Sequence, residues 1–195
     1  LLDLNTGHNL CATVLVQARA MLRQGAPAHL QPLGETEFGN GVAAMGASGL
    51  YGDTRVCAGI VGQVDLSLGS AVRPLLEQHI SLAGGMTADD GRFKGIRQPL
   101  AWDADSPLLN PVYSVGEDLM ESKPFREGFA QLAPLGLSFD AWLFFHQIPR
   151  LITLARAFPD TQIVLNHCGG IIGIRNYAGR RDEIFSQWKQ ALIEL

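Results

Sequence analysis

The chain has 195 residues, of which 47% are hydrophobic and 17% are charged, and its formal net charge is -4. This composition is that of an ordinary globular domain with a substantial core, and it excludes an intrinsically disordered chain. The charges are interspersed and the balance is acidic, which argues against a nucleic-acid partner. No apolar run reaches the roughly 18 residues that a membrane span requires, so no membrane partner is expected.

The three cysteines, Cys11, Cys57 and Cys168, are an odd number in apolar, strand-like segments and have no zinc-finger spacing. This usage is typical of reduced core thiols and predicts a cytoplasmic location. The chain starts without an initiator methionine and stops inside an amphipathic pattern that lacks a helix stop signal. We therefore expect an internal segment of a longer protein.

Strand and helix patterns alternate along the chain. Five mostly apolar runs, typical of strands covered on both faces, predict strands at residues 12–17, 56–65, 93–98, 137–145 and 162–167. Amphipathic patterns predict helices at residues 35–47, 71–83, 121–133 and 148–157, and a fifth that begins at Arg181. Such alternation predicts right-handed crossovers and one α/β domain, residues 1–195, around a parallel sheet.

The loops after the predicted strands are longer than the turns before them, so elaboration concentrates on one face of the sheet. A complete eight-stranded barrel takes about 250 residues, and five βα units in this length therefore favour an incomplete (β/α)8 TIM barrel. An open doubly wound sheet is the alternative, because both folds place helices outside parallel strands.

His167 is the first candidate site residue, because it follows the apolar run at residues 163–165 and precedes two glycines. Ligands and chemistry lie at the C-terminal ends of parallel strands. A neutral imidazole there could bind a metal, act as a general base or polarise a carbonyl, and a purely structural role is the alternative. Asn166 would face the other side of the strand and support the site from there.

His146 ends the preceding predicted strand. Neighbouring parallel strands would bring His146 and His167 within reach of one ion, which predicts a divalent metal such as zinc if other strands supply further ligands. Cys168 directly follows His167 and would point away from it, so we expect no nucleophile-base pair there.

Three further side chains are candidates for substrate contact. Arg97 ends the third predicted strand, where its guanidinium could bind a carboxylate or carbonyl or make a structural salt bridge. Gln17 is a polar group in an apolar strand and requires a buried partner or a ligand. Trp102 lies in the long loop that would hold a lid or specificity element.

The glycines at residues 169–173 could form an anion-binding turn, with arginines downstream as partners. The segment matches neither the dinucleotide nor the mononucleotide glycine pattern. Close approach of the backbone to a ligand is a second explanation for these glycines.

Two long runs, LSFDAWLFFHQIPRL at residues 137–151 and ARAFPDTQIVLNHCGG at residues 155–170, resemble the second amidohydrolase family of predicted metal-dependent TIM-barrel hydrolases. Shorter runs in the same order are also similar to that family: PLGETE at 32–37, VCAGIV at 56–61 and KGIR at 94–97. The resemblance covers nearly the whole chain. It implies strands two to six of the barrel, in a family of lactone hydrolases, other hydrolases of carboxylated substrates and decarboxylases.

The chain also departs from the family pattern. A His-x-His pair on the first strand and an aspartate on the eighth are typical of the family, and the matched strands include neither. The family's fifth-strand histidine would align with Phe145 rather than His146. Gln17 and Gln98 stand where relatives often carry Glu and His, which makes Gln98 a further substrate-binding candidate.

These observations predict a hydrolase that activates water against a lactone or amide carbonyl of a small, carboxylated substrate. His167 and Arg97 are its catalytic candidates, and His167 and His146 its metal candidates. We expect the segment alone to be inactive. We also expect that it could form a homo-oligomer. Two alternatives stay open: a non-catalytic remnant that pairs its free strand edges with another chain, and an open-sheet module that binds an anion or nucleotide.

Overall fold

A computed structural model describes residues 7–195 and contains one sheet of five parallel strands. The strands are β1 (Ala12–Val16), β2 (Arg55–Gly62), β3 (Phe93–Pro99), β4 (Ser138–Trp142) and β5 (Ile163–Leu165). They lie in the order β1-β2-β3-β4-β5, without the reversal that defines a doubly wound sheet. The sheet curls into half of a barrel, which confirms the predicted incomplete TIM barrel, and the open-sheet alternative is wrong.

Helices connect successive strands and follow the last one. They are α1 (Leu33–Ala47), α2 (Arg73–Leu82), α3 (Lys123–Phe129), α4 (Ile148–Ala157), the single turn α5 (His167–Gly170) and α6 (Arg181–Glu194). Short 3-10 helices occupy Ala28–Leu30, Leu66–Val72, Ser106–Leu108, Leu119–Glu121, Ala133–Leu135, Phe145–Gln147 and Arg175–Tyr177. The predicted bounds of α4 and the predicted start of α6 are confirmed.

The two faces of the sheet differ in what covers them. Ile60, Ile96 and Phe139 are fully buried and belong to one core that includes side chains of α2, α3, α4 and α6. The opposite, concave face carries Arg97 and Asp140, which are register partners on β3 and β4. Because side chains alternate along a strand, one face of each strand supplies the core and the other is left for polar groups.

The prediction that a strand runs to Phe145 is wrong, because β4 ends at Trp142. The buried Gln147 accepts the N–H of Phe144 on its Oε1 at 3.1 Å and donates to the carbonyl of Leu100 at 2.8 Å. This amide draws the chain away from the sheet and into the 3-10 helix at Phe145–Gln147. His146 therefore lies in that helix and not at the end of a strand.

Two further expectations need correction. Of the three thiols only Cys57 is buried, whereas Cys11 and Cys168 are exposed. The apolar stripe predicted for α6 is only partly covered, since Ile184 is buried but Phe185 is 51% exposed. Among residues 7–195 there is no helix that is both long and apolar enough to cross a membrane.

Candidate active site

A cavity of about 210 Å³ lies at the C-terminal edge of the sheet. Its lining consists of Gln17, Ala18, Arg97, Pro99, Asn110, Tyr113, Trp142 and His167. Three larger cavities also occur: those of about 390 and 610 Å³ lie beside the starts of β2 and β4, and one of about 250 Å³ lies between α6 and the segment before it. In parallel barrels the chemistry lies at the C-terminal edge, so the smaller cavity is the candidate site.

His167 reaches this cavity from α5, which is a left-handed turn rather than an ordinary helix. The φ angles of His167, Cys168, Gly169 and Gly170 are 50°, 52°, 81° and 59°. Left-handed backbone costs about 1–2 kcal/mol for a residue other than glycine, so the turn holds His167 and Cys168 under strain. Strained backbone of this kind clusters at functional sites, which agrees with the position of His167.

The turn is fixed from outside by packing. The indole N–H of Trp188 donates to the carbonyl of Cys168 at 2.6 Å. A side chain at Gly169 would meet Ile148, and one at Gly170 would meet the backbone of Leu143. Close packing against neighbouring elements therefore explains the two glycines, and no bound anion is needed to explain them.

The imidazole of His167 is exposed and open toward the cavity. Its ring centroid lies 6.2 Å from that of Trp142, in an edge-to-face arrangement. Within residues 7–195 neither ring nitrogen makes a hydrogen bond. Both nitrogens are therefore available to a ligand in the cavity.

Gln17 and Arg97 are joined at the cavity wall. Gln17 is 1% exposed, and its Oε1 accepts the Nε–H of Arg97 at 3.1 Å. The backbone carbonyl of Gln17 accepts the Nη2–H of the same guanidinium. The Nε2 of Gln17 donates to Oε1 of Gln63 at 3.1 Å and to Oη of Tyr113 at 3.0 Å. This network is the buried partner that the sequence requires for Gln17, and it fixes the direction of Arg97.

Asp140 is a buried carboxylate that the sequence reasoning missed. Its Oδ2 accepts the Nδ2–H of Asn166 at 3.0 Å, and its Cα is the register partner of Arg97. Burial raises the pKa of the Asp140 carboxyl, although the hydrogen bond from Asn166 and the charge of Arg97 oppose that shift. An aspartate in an otherwise apolar strand is the signal that would have identified it, by the argument applied to Gln17.

Glu35 holds the loop that follows β1. Its side chain is buried, and Oε1 accepts the N–H groups of Ala18 at 2.8 Å and Ala20 at 2.9 Å. Between those residues Arg19 adopts a left-handed φ of 58°, and its guanidinium lies over the ring of Tyr113 at 5.6 Å. Glu35 thus connects the start of α1 to a wall of the cavity.

His146 belongs to a second cluster, away from the cavity lining. Oδ2 of the buried Asp103 accepts from His146 Nε2 at 2.9 Å and from the hydroxyl of Tyr177 at 2.6 Å. Burial by itself would raise the pKa of the Asp103 carboxyl, but hydrogen bonds from Tyr177, Asp105 and His146 outweigh it and lower that pKa. Burial and the bond to Asp103 raise the pKa of Tyr177 to about 12. The cluster ties together the loops that follow β3, β4 and β5.

Gln98 and Trp102 also lie outside the cavity lining. Gln98 points to the other face of β3, where Oε1 accepts the N–H of Leu66 at 2.9 Å and Nε2 donates to Asp65 at 3.0 Å. The backbone N–H of Trp102 donates to Gln147 at 3.0 Å. The structure therefore brings Gln17, Arg97 and His167 together, with Asn166 behind Asp140, and does not bring Gln98, Trp102 or His146 to them.

The side chains around the cavity do not make a metal site on their own. No group of three or more His, Cys, Asp or Glu that could hold a metal ion occurs among the residues the structure describes. A catalytic zinc site normally has about three protein ligands. His167 shares its cavity with the permanent positive charge of Arg97, which disfavours a divalent cation there.

Comparison with known sequences shows the family, and comparison with solved structures shows the fold. The amidohydrolase family model matches residues 53–191. The uncharacterized protein y4mH of Sinorhizobium fredii is 35% identical over 138 residues, which are 71% of this chain and 40% of that protein. The chain therefore spans well under half the length of this relative.

An amidohydrolase from Burkholderia multivorans is similar in fold, and it has been solved with bound HEPES and with bound zinc. The HEPES structure gives a TM-score of 0.53 at 21% identity, over 79% of this chain and 44% of the other. The zinc structure gives 0.56 at 23% identity, over 83% and 45%. The strand order agrees with the fold of these structures, and the family match over residues 53–191 shows that this chain belongs to the amidohydrolase family.

Proposed function

We propose that the chain forms part of a hydrolase that activates water against a lactone or amide carbonyl of a small, carboxylated substrate. The observation that carries the proposal is that His167 and Arg97 line one cavity at the C-terminal edge of the sheet. Family membership supports the class of reaction. The lactone or amide carbonyl is what the family resemblance implies, and the substrate carboxylate is our inference from Arg97 in the cavity.

The roles follow from the chemistry of the two groups. A ring nitrogen of His167 takes a proton from water as the water attacks the carbonyl carbon, and it later returns a proton to the leaving oxygen or nitrogen. Gln17 accepts hydrogen bonds from Nε and Nη2 of Arg97, so Arg97 binds the substrate carboxylate through its Nη1 group. This contact holds the substrate carbonyl beside His167. A water-excluding wall is supplied by Trp142 and Pro99.

The described residues around the cavity do not fit a zinc ion. A solved relative carries bound zinc, and His167 would be a ligand if this chain bound the ion. The described side chains offer no second and third ligand beside it. No step of the proposed reaction therefore depends on a metal ion.

The test is turnover by the natural gene product that contains this chain, assayed with paired lactone and amide substrates. We expect turnover to fall by about 100-fold or more in His167→Ala, the usual size of a general-base contribution. The exposed histidine variant His29→Ala serves as the matched control and should keep full turnover. Full turnover in His167→Ala would overturn the assignment. The isolated 195-residue chain should show no appreciable turnover.

A non-catalytic role that depends on association is the second candidate, including assembly into a homo-oligomer. Val14 on β1 and Val164 on β5 are 59% and 41% exposed, and within residues 7–195 each of these strands pairs with another strand on one edge alone. Apolar side chains on open strand edges favour pairing with another chain. Sedimentation analysis would separate the two candidates, because association without turnover in any natural form would favour the second.

A further inference from the structure

Arg97 determines which groups donate and which accept in the hydrogen-bond network at the cavity. A guanidinium donates hydrogen bonds and accepts none. The side-chain atom of Gln17 that meets Arg97 Nε at 3.1 Å must therefore be its oxygen, which assigns the amide without ambiguity. It follows that Nε2 of Gln17 is the atom that faces Gln63 and Tyr113, and both of its protons are used on them.

The orientation of the Gln17 amide also determines the role of the Tyr113 hydroxyl. Because Oη of Tyr113 accepts from Gln17 at 3.0 Å, its own proton is not used in that contact. Within residues 7–195 the hydroxyl has no other partner, and Tyr113 lines the cavity. The free O–H is thus a donor at the cavity wall.

Asn110 also offers a donor to the cavity, because its side-chain oxygen is used in a hydrogen bond within its own loop. Its Oδ1 accepts the N–H of Val112 at 3.0 Å, which leaves the Nδ2 group for the cavity that Asn110 also lines. The Nη1 group of Arg97 has no hydrogen bond within the described part of the chain. Three side chains from β3 and the loop after it therefore offer donors, and the oxygens of Tyr113 and Asn110 each already accept one hydrogen bond.

We infer that Arg97, Tyr113 and Asn110 form a donor-rich subsite for a carboxylate of the substrate, and that Gln17 is the positioning residue that orients its donors. The inference rests on the proposed function and adds Tyr113 and Asn110 as specificity-determining residues. A carboxylate presents two oxygens that only accept, so it satisfies these donors. A carboxamide of the same shape replaces one of these oxygens with an NH2 group, which cannot accept from Arg97 or from Nδ2 of Asn110.

The experiment is calorimetric binding of two probes to the chain: a γ-butyrolactone that carries a ring carboxylate, and the same lactone with a carboxamide. We expect the carboxylate to bind at least tenfold more tightly. Tyr113→Phe keeps the ring over Arg19 and loses only the hydroxyl, and it should weaken carboxylate binding about tenfold with little effect on the carboxamide. Tyr51→Phe, at an exposed tyrosine before β2, should change neither affinity.

Gln17→Glu is the second variant, because a carboxylate there accepts from both Arg97 and Tyr113. We expect it to abolish the preference for the carboxylate probe, a ratio that a loss of stability alone would not change. Unchanged carboxylate binding in Tyr113→Phe, while Arg97→Gln loses it, would overturn the subsite but leave the proposed substrate class intact. Failure of wild-type protein to prefer the carboxylate would overturn the subsite outright. Turnover by the natural gene product tests the hydrolase assignment separately.

Discussion

Gly170 lies directly against the backbone carbonyl of Leu143, so that a Cβ on Gly170 would overlap with that oxygen. The contact joins the turn after β5 to the segment after β4, and the turn carries His167 into the cavity. The position also has a φ of 59°, which glycine adopts at little cost. Packing of one backbone against another thus sets where the imidazole lies.

Substitution of Gly170 by alanine should destabilise the protein by more than a positive φ alone explains. We expect a loss of about 3 kcal/mol or more, because the strain of the left-handed backbone adds to the steric overlap. Chemical denaturation measures the loss. Gly179→Ala is the matched control, since Gly179 has a φ of 76° and nothing within 4 Å of its Cβ position. Equal losses in the two variants would contradict the role of the Leu143 contact.

His79 predicts how stability depends on pH. Burial lowers the pKa of His79 to about 4 from the ordinary histidine value of 6.5, although a hydrogen bond to the backbone of Gln63 opposes the shift. The buried ring stacks on Phe93 and meets the hydroxyl of Thr36 at 2.8 Å. The folded protein therefore holds His79 neutral where the unfolded chain is already protonated.

A histidine whose pKa is lowered by folding adds to the free energy of unfolding at any pH above its pKa in the unfolded chain. For His79 this contribution is lost as the pH falls from about 6.5 toward 4. The loss should approach about 3 kcal/mol, at 1.36 kcal/mol for each pKa unit. Urea denaturation from pH 7 to pH 4 measures it. His79→Gln should remove this part of the pH dependence, whereas His29→Gln, at an exposed position, should retain it. The same acid slope in both variants would show that His79 is not its source.

Zinc should bind weakly to this chain, because His167 stands without two further ligands among the described residues. Competition with a chromophoric chelator should give no stoichiometric zinc binding tighter than micromolar, in contrast to a complete structural or catalytic site. The His167→Ala variant should give the same titration as the unmodified chain. One tightly bound zinc per chain that is lost in His167→Ala would show that a metal site exists.

The fold was largely predictable, because near-continuous apolar strands and amphipathic helices each follow from periodicity, and the family resemblance indicated the barrel. The end of β4 was not predictable, because it depends on hydrogen bonds that the buried amide of Gln147 makes with Phe144 and Leu100. A hydrophobic pattern carries no information about such bonds. His146 was placed wrongly for that reason.

The candidate site was predictable where a side chain lies near the C-terminal end of a strand, although β3 continues to Pro99 and β5 ends at Leu165, before His167. Arg97 and His167 were identified in this way, and both line the cavity. Tyr113 and Asn110 come from a long loop whose course depends on tertiary contacts, so the sequence indicated a specificity loop without showing which side chains reach the cavity. Asp140 required only the rule for buried polar groups, applied one strand further along.

The central claim is that His167 and Arg97 act on one ligand in one cavity. Nuclear magnetic resonance tests it most directly, by titration with the γ-butyrolactone carboxylate while the ring C–H signals of His167 and the Nε–H signal of Arg97 are followed together. Both sets of signals should shift with the same dissociation constant, and Arg97→Gln should remove the shifts at His167. Saturable shifts at Arg97 that leave the His167 ring signals unmoved would contradict it.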